Sequence, residues 1–195
     1  MGDLGQKAVQ LLEHHGRPEG CHVYIIAGLC DVTTRHVAHQ PGRGKYEEVV
    51  FQGTVNQNVT RMIALIDSVD QAVRATGATP CFATIIPMSL ETWSKNRLRQ
   101  HKTTHLNNQN LYSTWQPLLI ETIKAVNQHI ISINISNQMT TPHLADTIMT
   151  HTRNRTRIHY GRLSDGTHLN STTNSKCKIK LINSIKSNRE RYPHY

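Results

Sequence analysis

Cysteine, acidic residues and aromatic residues are all scarce in this sequence, and each scarcity excludes something. The four cysteines, Cys21, Cys30, Cys81 and Cys177, form no C-x-x-C pair and no zinc-ligand spacing. They read as reduced thiols of a cytosolic or nuclear protein, not as a disulfide framework. The opening "MGDLGQKAVQLLEHHG" lacks the basic start, apolar run and small-residue cleavage site of a secretory signal. The most apolar stretch, "CHVYIIAGLC", is far too short to cross a bilayer, so no membrane partner is expected. Aromatic residues make up 5% of the chain, too few for a surface of stacked bases, and no helix-turn-helix, RRM or zinc-finger pattern is present. His101 and His105 stand four apart in "HKTTH" but have no acidic partner and no H-E-x-x-H pattern. They read as surface histidines, and no metal or cofactor is expected.

Positive charge is what the chain has in excess. Lys and Arg number 22 against 13 Asp and Glu, for a net charge of +9, and thirteen histidines add to it in mild acid. Such a balance favours nucleic acid or an anionic surface as a partner and says nothing of fold. The charge gathers late in the chain. Arg153, Arg155, Arg157 and Arg162 precede a run made of Lys176, Lys178, Lys180, Lys186, Arg189 and Arg191, with Tyr160, Tyr192 and Tyr195 interleaved. Residues 189–195 read as a basic tail. The length of 195 residues fits one domain, 1–195, with a core of its own. N-x-[ST] matches at Asn58, Asn134, Asn154 and Asn170 read as chance in a chain rich in these residues.

Apolar periodicity organises the rest. Leu4, Ala8, Leu11 and Leu12 share one face of a helix stopped by Gly16. "HVYIIAG" (22–28) is a β-branched run expected to be a strand buried on both faces. Residues 35–53 are polar and broken by Pro and Gly, and read as a loop. Val59, Met62, Ile63, Ile66, Val69 and Val73 predict a helix over 59–76 closed by Gly77. "PCFATIIPM" (80–88) reads as a second buried strand and 92–110 as a loop or frayed helix. Leu111–His129 reads as a third helix, "IISINI" (130–135) as a third strand, and "PHLADTIMTHT" as one or two helical turns. Ser171–Asn188 reads as the last helix. Alternation of this kind predicts βαβ units and a parallel sheet, strands 22–27, 81–86 and 131–135 being neighbours. Sites in such sheets lie beyond the carboxyl ends of the strands. "AGLCD", "PMSLE" and the turn "DGTH" (165–168) would all meet on that rim. Asp165 and His168 there are either an acid–base pair or a capping aspartate beside a surface histidine.

These residues resemble the SGNH (GDSL-type) hydrolases. The family's D-x-x-H turn before the last helix is matched by "DGTH" followed by "LN". Its G-x-N-D block is similar to "GLCD" (28–31), and "TIIP" resembles its next strand end. The resemblance covers about residues 2–188. It implies an α/β, flavodoxin-like three-layer parallel sheet with helices on both faces, and hydrolysis of an acyl ester by a Ser–His–Asp triad. Asp165 would orient the imidazole and His168 would act as base; Gly28, Cys30 and Asp31 would form the oxyanion block. Domains of this kind occur in some retrotransposon proteins, so a basic, nucleic-acid-associated module of a mobile-element-derived protein is the alternative reading.

The chain departs from the family twice. Cys30 stands where the family has asparagine, and a thiol is a poor donor beside an amide. It reads as a buried, inert cysteine, with a nucleophile's role as the alternative. The family's first block, a strand ending in G-D-S, has no counterpart: no serine precedes "HVYIIAG", and "GDL" carries Leu4 in its place. Residues 2–15 align instead with the helix between the family's second and third strands. The resemblance thus implies a domain truncated at its N-terminus and inactive or incomplete without the nucleophile. Strand 22–27 would be an exposed apolar edge. A fragment of a longer product, a partner chain covering that edge, or a decaying gene would each account for it.

Overall fold

The computed structural model describes residues 3–16, 19–40, 44–100, 109–152 and 156–191. It is a mixed α/β structure of five helices and a few short strands. In chain order these are α1 (Leu4–His15), β1 (His22–Ile25), β2 (Thr34–Gln40), β3 (Gly44–Val50), α2 (Val55–Arg74), β4 (Thr79–Phe82), α3 (Leu90–Gln100), α4 (Tyr112–Ser136), β5 (Met149–His151), β6 (Thr156–Ile158) and α5 (Ser171–Arg191). None of these helices is long and apolar enough to cross a membrane.

β1 and β4 pair in parallel, His22 opposite Thr79 and Ile25 opposite Phe82, as the two apolar runs predict. Their side chains alternate between two sets of partners. Ile25 and Phe82 join the main core with Met62, Ile66, Val69 and Val73 of α2. Each of these α2 side chains is almost wholly buried, worth about 1.5–3 kcal/mol apiece. On the other face Ala83 packs with Cys177 of α5, and the Tyr24 hydroxyl accepts a hydrogen bond from Asn188 Nδ2 at 2.7 Å. α2 starts at a capping box in which Thr54 and Gln57 each bond the other's backbone N–H. α1 ends at Gly16 in the left-handed conformation, as expected.

Three expectations are corrected. Residues 35–53 are not a loop: β2 and β3 form an antiparallel hairpin from Thr34–Val50 to Gln40–Gly44. It is held against α3, where Ser94 Oγ accepts the Val49 N–H at 3.1 Å and Trp93 lies under the guanidinium groups of Arg35 and Arg97. Of 92–110, expected as a loop or frayed helix, residues 92–100 belong to α3; residues 101–108, with His101 and His105, lie outside the described residues. "PHLADTIMTHT" holds one 3-10 turn, Ala145–Thr147, before β5.

The third correction is the largest: 130–135 is not a strand but the end of α4. The physical reason is visible along β4, whose free edge is bonded by asparagine side chains of that helix. Asn134 Oδ1 accepts the Phe82 N–H at 2.9 Å while its Nδ2 donates to the Phe82 carbonyl at 2.7 Å. Asn127 does the same for Ile85, at 2.7 and 3.0 Å, and Asn137 Nδ2 donates to the Pro80 carbonyl at 3.0 Å. A primary amide has the donor and acceptor of a peptide group, so these side chains take the place of a neighbouring strand. Asn134 is fully buried in this role. The opposite edge, that of β1, pairs with no further strand among the described residues. An open apolar edge was expected there, and an apolar groove of about 430 Å³ lies between α1 and β1.

Candidate functional site

Beyond β1 the chain turns at Gly28, whose φ of +115° is one that side chains rarely adopt. The Gly28 carbonyl accepts the Asp31 N–H at 3.1 Å and starts the short turn Leu29–Asp31. The Asp31 carbonyl in turn accepts the Arg61 guanidinium of α2, which anchors the loop.

The turn carrying Asp165 and His168 is closed by the bridge between Leu163 and Leu169. The Ser164 N–H and hydroxyl both donate to the His168 carbonyl, at 2.7 and 3.1 Å. Inside it, Asp165 divides its carboxylate. Oδ1 accepts the N–H groups of Thr167 and His168 at 3.0 and 2.8 Å, and Oδ2 lies 2.6 Å from His168 Nδ1. A carboxylate there fixes the tautomer with the proton on Nδ1 and leaves the lone pair on Nε2. Partial burial pushes the Asp165 carboxyl up. The bonds from His168 and Thr167 outweigh this and hold it below the usual carboxylate value.

Gly166 explains why the turn sits where it does. Its φ is +92°, and a Cβ there would lie 2.5 Å from the Trp93 nitrogen and 2.9 Å from the Ser89 carbonyl oxygen. Its carbonyl accepts the Ser89 N–H at 2.8 Å. The turn is thus pressed onto the first residues of α3, a contact no local sequence pattern announces.

A cavity of about 570 Å³ brings the two loops together: Gly28, Cys30 and Asp31 line it with Thr167 and His168, and residues 83–86 beyond β4 form its floor. Asp165 stands behind His168. Cys30 is corrected here, because its side chain is exposed and not buried. Buried thiols are found instead at Cys177 and at Cys81, where burial outweighs a hydrogen bond from Asn188 and pushes the thiol up to about 12. Among the described residues no three His, Cys, Asp or Glu side chains are grouped as a metal site requires. The aliphatic walls of the cavity, Ile26, Ile85, Ile86 and Leu144, were not legible as site residues, since they come together only in the fold.

Six of the late basic residues lie on α5. Lys176, Lys178, Lys186, Arg189 and Arg191 are exposed along α5, while Lys180 lies 3.9 Å from Asp146. Arg162 donates to the Thr147 carbonyl at 2.5 Å, and Arg157 is exposed. The Tyr160 hydroxyl accepts Gln116 Nε2 at 2.7 Å, and burial pushes it up to about 12. Arg153, Arg155, Tyr192 and Tyr195 lie outside the described residues.

Acid should loosen the 163–169 turn. A carboxyl held below its unfolded value stabilises the fold above the unfolded pKa, and that contribution is lost as pH falls through the folded one. Stability followed from neutral pH down through about pH 3 should decline more steeply for the native chain than for Asp165→Asn. Parallel curves would show that the carboxylate does not hold the turn.

No family model matches the chain, and no curated protein or solved structure matches it.

Proposed function

We propose that the chain is an SGNH-hydrolase-like domain in which Asp165 and His168 are the acid and base of an ester-hydrolysing site. In this reading β1 and β4 belong to a flavodoxin-like, three-layer sheet, and the Gly28–Asp31 loop is the oxyanion block. One observation carries it: the Asp165-bound imidazole of His168 lines the same cavity as Gly28, Cys30 and Asp31. The geometry suits general-base work, since a carboxylate on Nδ1 leaves Nε2 to take a proton from a hydroxyl. No serine precedes β1 to stand at the family's nucleophile position. Ser164 is bonded to the His168 carbonyl on the acid's own turn, and Ser89 Oγ donates to Thr92 Oγ1 at 2.9 Å. With Cys30 in place of an amide donor, the oxyanion side is weakened as well, by a factor of about 10²–10³ for one donor.

The expected result is an oriented pair without turnover. Proton NMR should show a strongly deshielded Nδ1 proton on His168 that Asp165→Asn removes. Hydrolysis of a short activated acyl ester by the purified chain should match that of His168→Ala, both near background. A missing Nδ1 resonance would overturn the acid–base pair. Turnover that disappears in His168→Ala would overturn the inactivity and make Cys30 the nucleophile to test next.

A further inference from the structure

We propose that two copies of this chain join through the outer edge of β1, antiparallel about a two-fold axis at Tyr24, into one four-stranded sheet in the order β4–β1–β1–β4. The bonds along β4 fix which backbone groups of β1 face outward. The Cys21 and Ile25 carbonyls accept the N–H groups of Thr79 and Ala83, at 2.8 and 2.9 Å. Strand alternation then turns the backbone of residues 21, 23 and 25 toward β4, and the N–H and carbonyl of Tyr24 and Ile26 toward the other edge. Among the described residues no further strand meets that edge. Residues directly opposite in an antiparallel pair can exchange both of their bonds. A two-fold axis at Tyr24 therefore lets each Tyr24 N–H donate to the Tyr24 carbonyl of the other copy. Ile26 of each copy then lies opposite His22 of the other.

This edge lacks the guards that natural proteins place on exposed strands, namely charges and proline. Other strands carry charges: Arg35 on β2, Lys45 and Glu47 on β3, Arg157 on β6. The run "HVYII" (22–26) has no Lys, Arg, Asp, Glu or Pro. Apolar surface lies beside it, in the groove that Leu4, Ala8, Leu11 and Leu12 of α1 form with Val23 and Ile25. Leu11 and Ile26 on this side are 60% and 58% exposed. A second copy brings the same side chains and removes both sets from water. Charge selects a second copy as the occupant. Residues 1–26 hold Asp3, Glu13 and Glu19 against Lys7 and Arg17, one negative charge in excess, in a chain of net charge +9. Two strongly basic chains meet here without the repulsion that they would meet elsewhere. A partner chosen by its acidity would be drawn to the lysines of α5 instead. Ile26 also lines the cavity shared by Gly28 and His168, so the joined edge sets His22 of the second copy next to a wall of that cavity.

The test joins oligomeric state to amide exchange. In sedimentation equilibrium over about 2–200 µM, the mass should rise toward that of a dimer and stop there, because a two-fold contact closes on itself. The Tyr24 N–H should exchange slowly at the high end of this range and fast at the low end. The Val23 N–H, turned toward β4, should stay slow at both. Leu11→Lys and Ile26→Lys, at exposed positions, should each weaken dimerisation at least about tenfold, since the axis sets each new charge near its own copy. Ile182→Lys, at an exposed position on α5, should leave it unchanged. A monomer throughout the range would overturn the proposal, and so would a mass that grows past the dimer. A dimer whose Tyr24 exchange ignores concentration would overturn it as well. So would one that Ile182→Lys breaks and Leu11→Lys spares, since the copies would then meet on α5.

Discussion

Replacing Asn134 by leucine is expected to lower the unfolding free energy by about 2–6 kcal/mol, because the N–H and carbonyl of Phe82 each lose their partner in a buried setting. Leucine keeps the branching of asparagine but is bulkier, so in this fully buried site some overpacking adds to the loss of hydrogen bonds. Asn134→Asp separates the two halves of the effect: a carboxylate still accepts the Phe82 N–H but cannot donate to the carbonyl, and it brings a charge into the core. Urea unfolding should place both variants well below the native midpoint. A shift under about 1 kcal/mol for Asn134→Leu would mean that the edge of β4 is satisfied by water and that the side-chain amide is incidental. The paired substitution Asn127→Leu, which strips Ile85, should act in the same sense, and the two should not add fully because they hold one segment of backbone.

The second large effect is expected at Gly166. Alanine there meets two penalties: a φ of +92° that a side chain rarely adopts, and a Cβ set 2.5 Å from the Trp93 nitrogen. Backbone strain of about 1–3 kcal/mol and a steric term of similar size are the relevant scales. Both are relieved only if the turn moves away from α3 and breaks the bond between the Ser89 N–H and the Gly166 carbonyl. Gly166→Ala should therefore lose stability and at the same time change the His168 environment, read as loss of the deshielded Nδ1 proton. A control at Gly161, where a Cβ would meet nothing within 4 Å, should be nearly silent. Native-like stability and NMR in Gly166→Ala would show that α3 does not position the turn.

Much of this fold could be read from local pattern, and the failures have physical causes. α1, α2 and α5 were legible because their apolar residues recur with the helical period, and β1 because a short β-branched run sits between turn signals; of the run expected as a strand over 80–88, only the part up to Phe82 is β4. "IISINI" failed on the same criterion, since a short apolar run has no period of its own. What decides it is Asn127 and Asn134, seven apart and therefore on one helix face, bonding a strand 42 and 52 residues upstream. No local window contains both ends of that contact. The hairpin β2–β3 was hidden by its polar composition: its buried residues gather at Glu48, Val49 and Val50, and its support comes from Ser94 and Trp93 on α3. At the candidate site the D-x-x-H turn was legible because its bonds are internal to four residues. Its seat on Ser89 and the aliphatic wall of the cavity were not, because they join segments that only the tertiary fold brings together.

Asn188, fully buried near the end of α5, reaches back to Tyr24 on the first strand, across 164 residues, and its Oδ1 accepts the Thr140 N–H at 2.7 Å. During synthesis this makes the Tyr24 contact of β1 wait for α5, which is translated 164 residues later. Until α5 emerges, the Tyr24 hydroxyl lacks its Asn188 partner and Ala83 lacks Cys177, so this face of β1 and β4 stays open while the intervening residues are made. Contacts of such separation close late and slowly. The interval in which this chain is vulnerable to aggregation is set less by its stability than by the time needed to translate from Tyr24 to Asn188.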